Sequence, residues 1–278
     1  MLTLQSDVAS LRRVMVCRPR DAFGSQQEID SSWRALGYRR APDLGAAARE
    51  HEAFVDLLRG AGADVVYLAT AEPLGLDAIY PRDASVICAK GAVLCRMGKE
   101  TRSVEPAAQA AAYSTLGVPV LGEIRGGGRL EGGDVAWLDD RTVAVGLGYR
   151  TNADGIRQLQ RLLGDQIETL ITVPLPHWRG PRDVFHLMSI LSPLSESLLL
   201  VYSPLLPVFF RRWLLERGYA LVEVPDEEFE TMGGNALALD SGRCVLLAGN
   251  PRTRSRIERA GIEVIEYVGQ QIRRKWRR

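Results

Sequence analysis

Several side chains of this sequence have the types and spacing to hold a planar cation and move a proton beside it. Asp77, Arg82 and Asp83 share the segment Leu-Asp-Ala-Ile-Tyr-Pro-Arg-Asp at 76–83, and Glu131 precedes Asp134 in a glycine-dense run at 126–134. Arg102 stands three residues before Glu105, Arg150 opens Arg-Thr-Asn, and His186 lies inside the apolar stretch Val-Phe-His-Leu-Met. Paired carboxylates are the natural partners of a flat, permanently charged, forked cation. A histidine opposite them adds a group that exchanges protons near neutral pH. Taken singly, each has a plainer reading. Asp and Pro begin turns, glycines turn corners, Asn152 can cap a helix, Arg150 can be a surface charge, and a histidine within a strand is commonly a satisfied, partly buried residue. The glycine run is not a phosphate loop, because it lacks both the GxxxxGK[ST] lysine and a GxGxxG that opens a helix.

The elements that carry these groups repeat. A polar residue followed by an apolar strand recurs every ~50 residues, at Asp83, Asp134, Asp183 and Asn235. Each is followed by a second apolar strand, at 91–96, 142–146, 197–202 and 244–248, then by helical stretches at 105–116, 154–163, 208–217 and 252–260. Closing strands follow at 118–121, 168–173, 220–224 and 262–267. The unit is strand, strand, helix, strand. Ahead of these four units, a strand at 12–17, a helix at 46–59 and a strand at 64–68 make the same unit without its first strand, which nothing in residues 1–10 supplies. If the units close into a ring, that strand must come from beyond the other end of the chain. The charged stretch 18–44, with no apolar periodicity, predicts a lid loop. In register, Asp83, Glu131 with Asp134, and His186 all converge on one axial pocket. Arg102 and Arg150 are then available for the carboxylate of an amino-acid ligand, so the implied ligand is arginine-like.

Composition narrows the classes. With 46% hydrophobic and 25% charged residues the chain is an ordinary folded protein, and its length permits one large domain or a pair. A formal charge of +1 gives no global reason to bind nucleic acid or an anionic membrane. No apolar run reaches the roughly 18 residues of a membrane span, and residues 1–13 do not read as a signal peptide, so the expected location is the cytoplasm. The basic tail 273–278 reads as a solvated chain end. Cys17, Cys88, Cys95 and Cys244 follow no CxxC spacing; Cys17, Cys88 and Cys244 lie in or at the ends of apolar runs and read as small core residues. His51, His177 and His186 are remote from one another, so no metal is expected.

Together the motifs resemble the guanidino-group-modifying (pentein) superfamily, α/β five-bladed ββαβ propellers that include arginine deiminases, dimethylarginine dimethylaminohydrolases and amidinotransferases. The likeness runs from about residue 12 to the last residue. It is closest to dimethylarginine dimethylaminohydrolase, through Asp77 with Arg82 and Asp83, Arg102-x-x-Glu105, Leu-Glu-Gly-Gly-Asp at 130–134, Tyr-Arg-Thr-Asn at 149–152 and His186-Leu-x-Ser189. It implies a single domain over 1–278 that hydrolyses the guanidino group of arginine or an N-methylated arginine to citrulline and an amine. Asp77 and Asp83 would hold the guanidinium nitrogens, Arg102 and Arg150 the α-carboxylate, and Glu131 would orient and charge His186. A cysteine thiolate would attack the guanidinium carbon, and His186 would protonate the departing amine and then activate the water that hydrolyses the thiouronium adduct. No metal or organic cofactor is implied, and the partner is a small guanidino substrate.

Two departures shape the expectation. Arg82 with Asp83 stands where the closest relatives usually carry an acidic pair, and Pro-Arg-Asp looks more like the amidinotransferase branch, which leaves an amidinotransferase as an alternative. The family's nucleophilic cysteine lies in a glycine-preceded strand after the segment matching 262–267, and none of the four cysteines here replaces it. The strand missing from the first unit and the strand carrying the nucleophile are then the same piece. The expected fold lacks its ring-closing C-terminal strand, a catalytically inactive or truncated homologue is the third reading, and the open edge leaves a homodimer open.

Overall fold

Short apolar runs cut by glycine-containing turns fold as strands, and between them helices begin at prolines or capped residues. The computed structural model describes residues 5–68, 70, 72–180 and 185–271. The chain opens with β1 (Arg13–Val16), the short helices α1 (Pro19–Phe23) and α2 (Gln26–Ser32), the long α3 (Leu44–Gly60) and β2 (Asp64–Tyr67). A second unit follows as β3 (Ser85–Cys88), β4 (Gly91–Leu94), α4 (Glu105–Leu116) and β5 (Val120–Glu123), and a third as β6 (Val135–Trp137), β7 (Thr142–Leu147), α5 (Ala153–Leu163) and β8 (Thr169–Pro174). The fourth is β9 (Leu191–Ser195), β10 (Leu198–Val201), α6 (Val208–Glu216) and β11 (Ala220–Glu223). After the one-turn helix α7 (Asp226–Phe229) come β12 (Ala236–Asp240), β13 (Arg243–Leu247), α8 (Pro251–Arg259) and β14 (Glu263–Tyr267).

Each of these four units is one three-stranded sheet. Its first two strands pair antiparallel, as Ser85 opposite Leu94 and Cys88 opposite Gly91 show, and its last strand returns parallel to the central one. The return needs a crossover, which the helix provides. Local signals set the helix ends. The Asn152 side chain accepts the Gly155 N–H at the start of α5, Pro106 sits in the first turn of α4, and Gly117 ends α4 at φ 70°. The first unit has only β1 and β2, parallel, with Arg13 opposite Asp64; among the described residues β1 has no third strand. Its outer parts nevertheless pack on the last unit. Val16, Val55 and Leu58 share a buried patch with Leu239 and Val245, and the Gln271 N–H reaches Glu50 Oε2 at 2.7 Å.

Three expectations need correction. Stretch 18–44 is not an open loop: it carries α1 and α2, the second started by a Ser25–Glu28 capping box, and it buries Phe23, Ile29 and Tyr38 against Leu76 and Ile79. Helices of five and seven residues are too short to show an amphipathic period, so the sequence reads as structureless there. His186 is not mid-strand either. Its N–H reaches the Ser189 hydroxyl at 3.3 Å and the Leu187 N–H goes to Asp134 Oδ1 at 3.0 Å, so side chains take the bonds a ladder would use, and the strand begins at Leu191. The fourth unit therefore starts later than Asp183, which, like the basic tail 273–278, lies outside the described residues.

Each first strand is preceded by a tight turn, and these turns crowd together. Gly132 shows how closely: a Cβ there would lie on the Arg82 carbonyl oxygen and 2.8 Å from that of Ser85, both backbone atoms that cannot swing aside. Gly132→Ala is expected to destabilise the fold by about 1–3 kcal/mol, read as a lower urea midpoint with an unchanged slope.

Candidate active site

The 3₁₀ turns Pro81–Ala84, Gly132–Asp134 and Leu187–Ser189 open the second, third and fourth units, and the middle one touches both of the others. Asp83 Oδ1 accepts the Gly133 N–H at 3.1 Å, and Asp134 Oδ1 accepts that of Leu187. Gly133 has no room for a side chain: a Cβ would meet Asp83 Oδ1 at 2.6 Å and His186 Cδ2 at 2.9 Å. These clasps bring the polar groups of three units to one point. His186 Nε2 lies 3.3 Å from Glu131 Oε2 and 3.9 Å from Asp83 Oδ1, and its Nδ1 lies 3.3 Å from Asp134 Oδ1. Glu131 is 0% and Asp134 1% exposed, so neither charge is met by water.

Cations inside the protein answer them. Arg102, itself 3% exposed, forks onto Glu105 with Nε and Nη2 at 2.7 Å each, gives Nη1 to Asp83 Oδ2 at 2.5 Å and reaches the Tyr80 carbonyl. Arg150 Nη1 lies 3.2 Å from both oxygens of Glu131. Asp77, in the turn Leu76–Ile79, takes Lys99 Nζ at 2.9 Å on Oδ2, and the Tyr38 hydroxyl stands 3.4 Å from Oδ1. Thr151 bridges the two acids, accepting from the Glu131 N–H and donating to Asp134 Oδ2 at 2.7 Å.

Of the residues singled out in the sequence, Asp83, Glu131, His186, Arg102 and Arg150 meet in this cluster, and Asp77 is tied to it through the loop at 98–102. Arg82 is not brought in: its guanidinium pairs with Asp7 and donates to the Val135 carbonyl, both at 2.9 Å. Lys99 and Tyr38 are not among the residues singled out in the sequence, and Thr151 stands there within the 149–152 motif without a role. For Lys99 the available signal was the three-residue spacing of Arg96, Lys99 and Arg102 after β4.

Burial alone would lower the His186 imidazole, but the charges of Asp134 and Asp83 and its bonds to Asp134 and Glu131 raise it to about 10. Burial would raise Glu131, yet the His186 bond and charge, with Arg150 and Arg102, hold it well below the carboxylate range. Burial pushes Glu105 up to about 7 against the pull of Arg102. His186 is thus a proton donor at neutral pH. The four thiols are the opposite of activated. Burial takes Cys17 and Cys244 to about 12, raises Cys88, and with Glu131 and Asp83 nearby puts Cys95 well above its ordinary value.

Asp83, Glu131 and His186 offer ligand atoms within 4.8 Å of one another, a cluster of metal-site type that histidine spacing could not reveal because its members come from three units. Two of its carboxylates are already shared with arginines, Asp83 with Arg102 and Glu131 with Arg150. Among the described residues, no helix is long and apolar enough to cross a membrane.

Repeated ββαβ units that focus carboxylates and a histidine on one point define the guanidino-group-modifying superfamily. The family model described as eukaryotic N,N-dimethylarginine dimethylhydrolase matches residues 22–274, and the chain belongs to that family. It is 29% identical over 229 residues to an N(G),N(G)-dimethylarginine dimethylaminohydrolase of Streptomyces coelicolor, covering 82% of this chain and 81% of that protein. The fold is similar to that of the Pseudomonas aeruginosa dimethylarginine dimethylaminohydrolase, solved as a mutant complexed with citrulline, at TM-score 0.74, 23% identity and 95% of each chain. It is also similar to the N-terminal domain of a cyanobacterial arginine dihydrolase, at TM-score 0.77, 20% identity and 94% and 93% coverage.

A raised imidazole pKa adds stability in full below the unfolded value of about 6.5, and that contribution fades as pH rises through about 10. Histidine NMR should show His186 titrating near 10, and Asp134→Asn should lower that value by about one unit or more.

Proposed function

We propose that the cluster binds the guanidinium of arginine or an N-methylated arginine, and that His186 is the acid of C–N cleavage. The observation that carries this reading is the convergence of Asp83, Glu131 and His186 from three successive units, with Asp77 adjoining. Asp83 and Asp77 accept guanidinium N–H groups, and Arg150 takes the α-carboxylate. Arg102, with four of its N–H groups already on protein acceptors, acts on Asp83 and holds its oxygens in place. Fixing a guanidinium between carboxylates lowers its electrophilicity, and proton donation to the leaving nitrogen restores reactivity. As a nucleophile adds to the guanidinium carbon and the C–N bond breaks, His186 Nε2–H supplies the proton that releases the amine.

The nucleophile that the family resemblance implies is a thiolate, and the four cysteines of this chain do not supply one: all are buried with raised pKa values. Residues 1–278 thus supply the ligand-binding groups and the acid half of the chemistry. We infer further that its five sheets are the blades of one propeller domain around this site, and that its partner is a small molecule.

Calorimetric titration with arginine and with N,N-dimethylarginine is expected to show one site per chain, weakened at least tenfold by Glu131→Gln. Citrulline assays on the same protein are expected to show no release. Turnover that depends on one of the four cysteines would overturn the assignment of the thiol step.

A further inference from the structure

One loop gives a donor to each of the three carboxylates. The Gly98 N–H goes to Glu131 Oε1 at 2.8 Å, Lys99 Nζ to Asp77 Oδ2 at 2.9 Å, and Arg102 Nη1 to Asp83 Oδ2 at 2.5 Å. The first is backbone, and the third is a buried guanidinium pinned from behind by Glu105. Lys99 differs from both. Its side chain is 24% exposed while that of Asp77 is 3% exposed, so a partly solvated ammonium serves a carboxylate that water scarcely reaches. Lysine is a compact point charge on a flexible four-carbon stem, able to leave a carboxylate and hydrate without moving the backbone. The opposite side of Asp77 is closed by Tyr38, whose hydroxyl also lies 3.1 Å from the Leu76 carbonyl oxygen.

We propose that Lys99 is a tethered stand-in for the ligand's cation: its ammonium occupies Asp77, and an arginine-type ligand binds by displacing it. This rests on the reading of the cluster as a guanidinium site. Two like charges cannot share Asp77 without repulsion, so the arriving guanidinium must drive the ammonium into water. The exchange sets specificity. A guanidinium brings a permanent charge to repay Asp77 for the lost lysine, whereas a neutral ureido group of the same shape does not. A neutral ligand therefore leaves Lys99 on Asp77, which makes the lysine a device for selecting charge.

The test is calorimetric titration of the full chain with arginine and with citrulline, for the wild type, Lys99→Met and Lys99→Arg. Removing the competing charge is expected to tighten arginine binding about tenfold or more, with a smaller gain for citrulline, while Lys99→Arg, which keeps a charge, gains none of this. In an Asp77→Asn background the effect of Lys99→Met should vanish, because both act through one pair. Thermal unfolding checks that Lys99→Met folds, and arginine should raise its midpoint more than that of the wild type. Equal arginine affinity in the wild type and Lys99→Met overturns the proposal and leaves the guanidinium site standing. Absence of arginine binding in every variant overturns the guanidinium site, and the proposal with it.

Discussion

A backbone N–H at the start of a buried strand has no sheet partner, and a buried donor left without an acceptor costs free energy. In this fold the preceding unit supplies the acceptor. Asp83 takes the N–H of Gly133, Asp134 that of Leu187, and the Ser192 hydroxyl accepts from Ala236 while donating to the Gly234 carbonyl. At these three junctions one polar side chain of a unit clasps the next, ahead of or at its first strand. The clasps that hold the units in register are also what carries Asp83 and Asp134 to the same place, with Glu131 one turn away. The concentration of negative charge follows from how the units are joined.

That concentration dictates the remaining residues. Asp77, Asp83, Glu131 and Asp134 are all buried, and unpaired buried carboxylates would take up protons instead of staying charged. Lys99, Arg102, Arg150 and the imidazolium of His186 answer them. The arginines give forked, hydrogen-bonded pairing with buried acids, which a lysine cannot. Lys99, with its side chain 24% exposed, sits where the cluster meets solvent. The charges of Asp134 and Asp83, with Glu131 close by, raise the His186 imidazole above its ordinary value.

Much of this was legible in the sequence. The second strands, helices and closing strands of the four units stand within a few residues of the expected positions because each is bounded by glycine, proline or a cap. The chemistry-bearing residues were legible because they recur at one place in the repeat. What failed did so where side chains replaced backbone partners. His186 looks like a strand residue by its apolar neighbours, but Ser189 takes its N–H and Asp134 takes that of Leu187. Arg82 looks like part of the site through its neighbour Asp83, yet adjacent residues in a tight turn point apart, and it pairs with Asp7. Lys99 looks like any surface lysine, and only the fold brings Asp77 to it.

A single cation-binding site built around His186 must make that imidazole sense the ligand. The most direct measurement uses the three histidines as reporters: ¹⁵N NMR of the imidazoles during titration with arginine. Saturable movement of the His186 resonances, with those of His51 and His177 unmoved, is the expected result. Unmoved His186 resonances at millimolar arginine, or movement led by His177, would contradict the account.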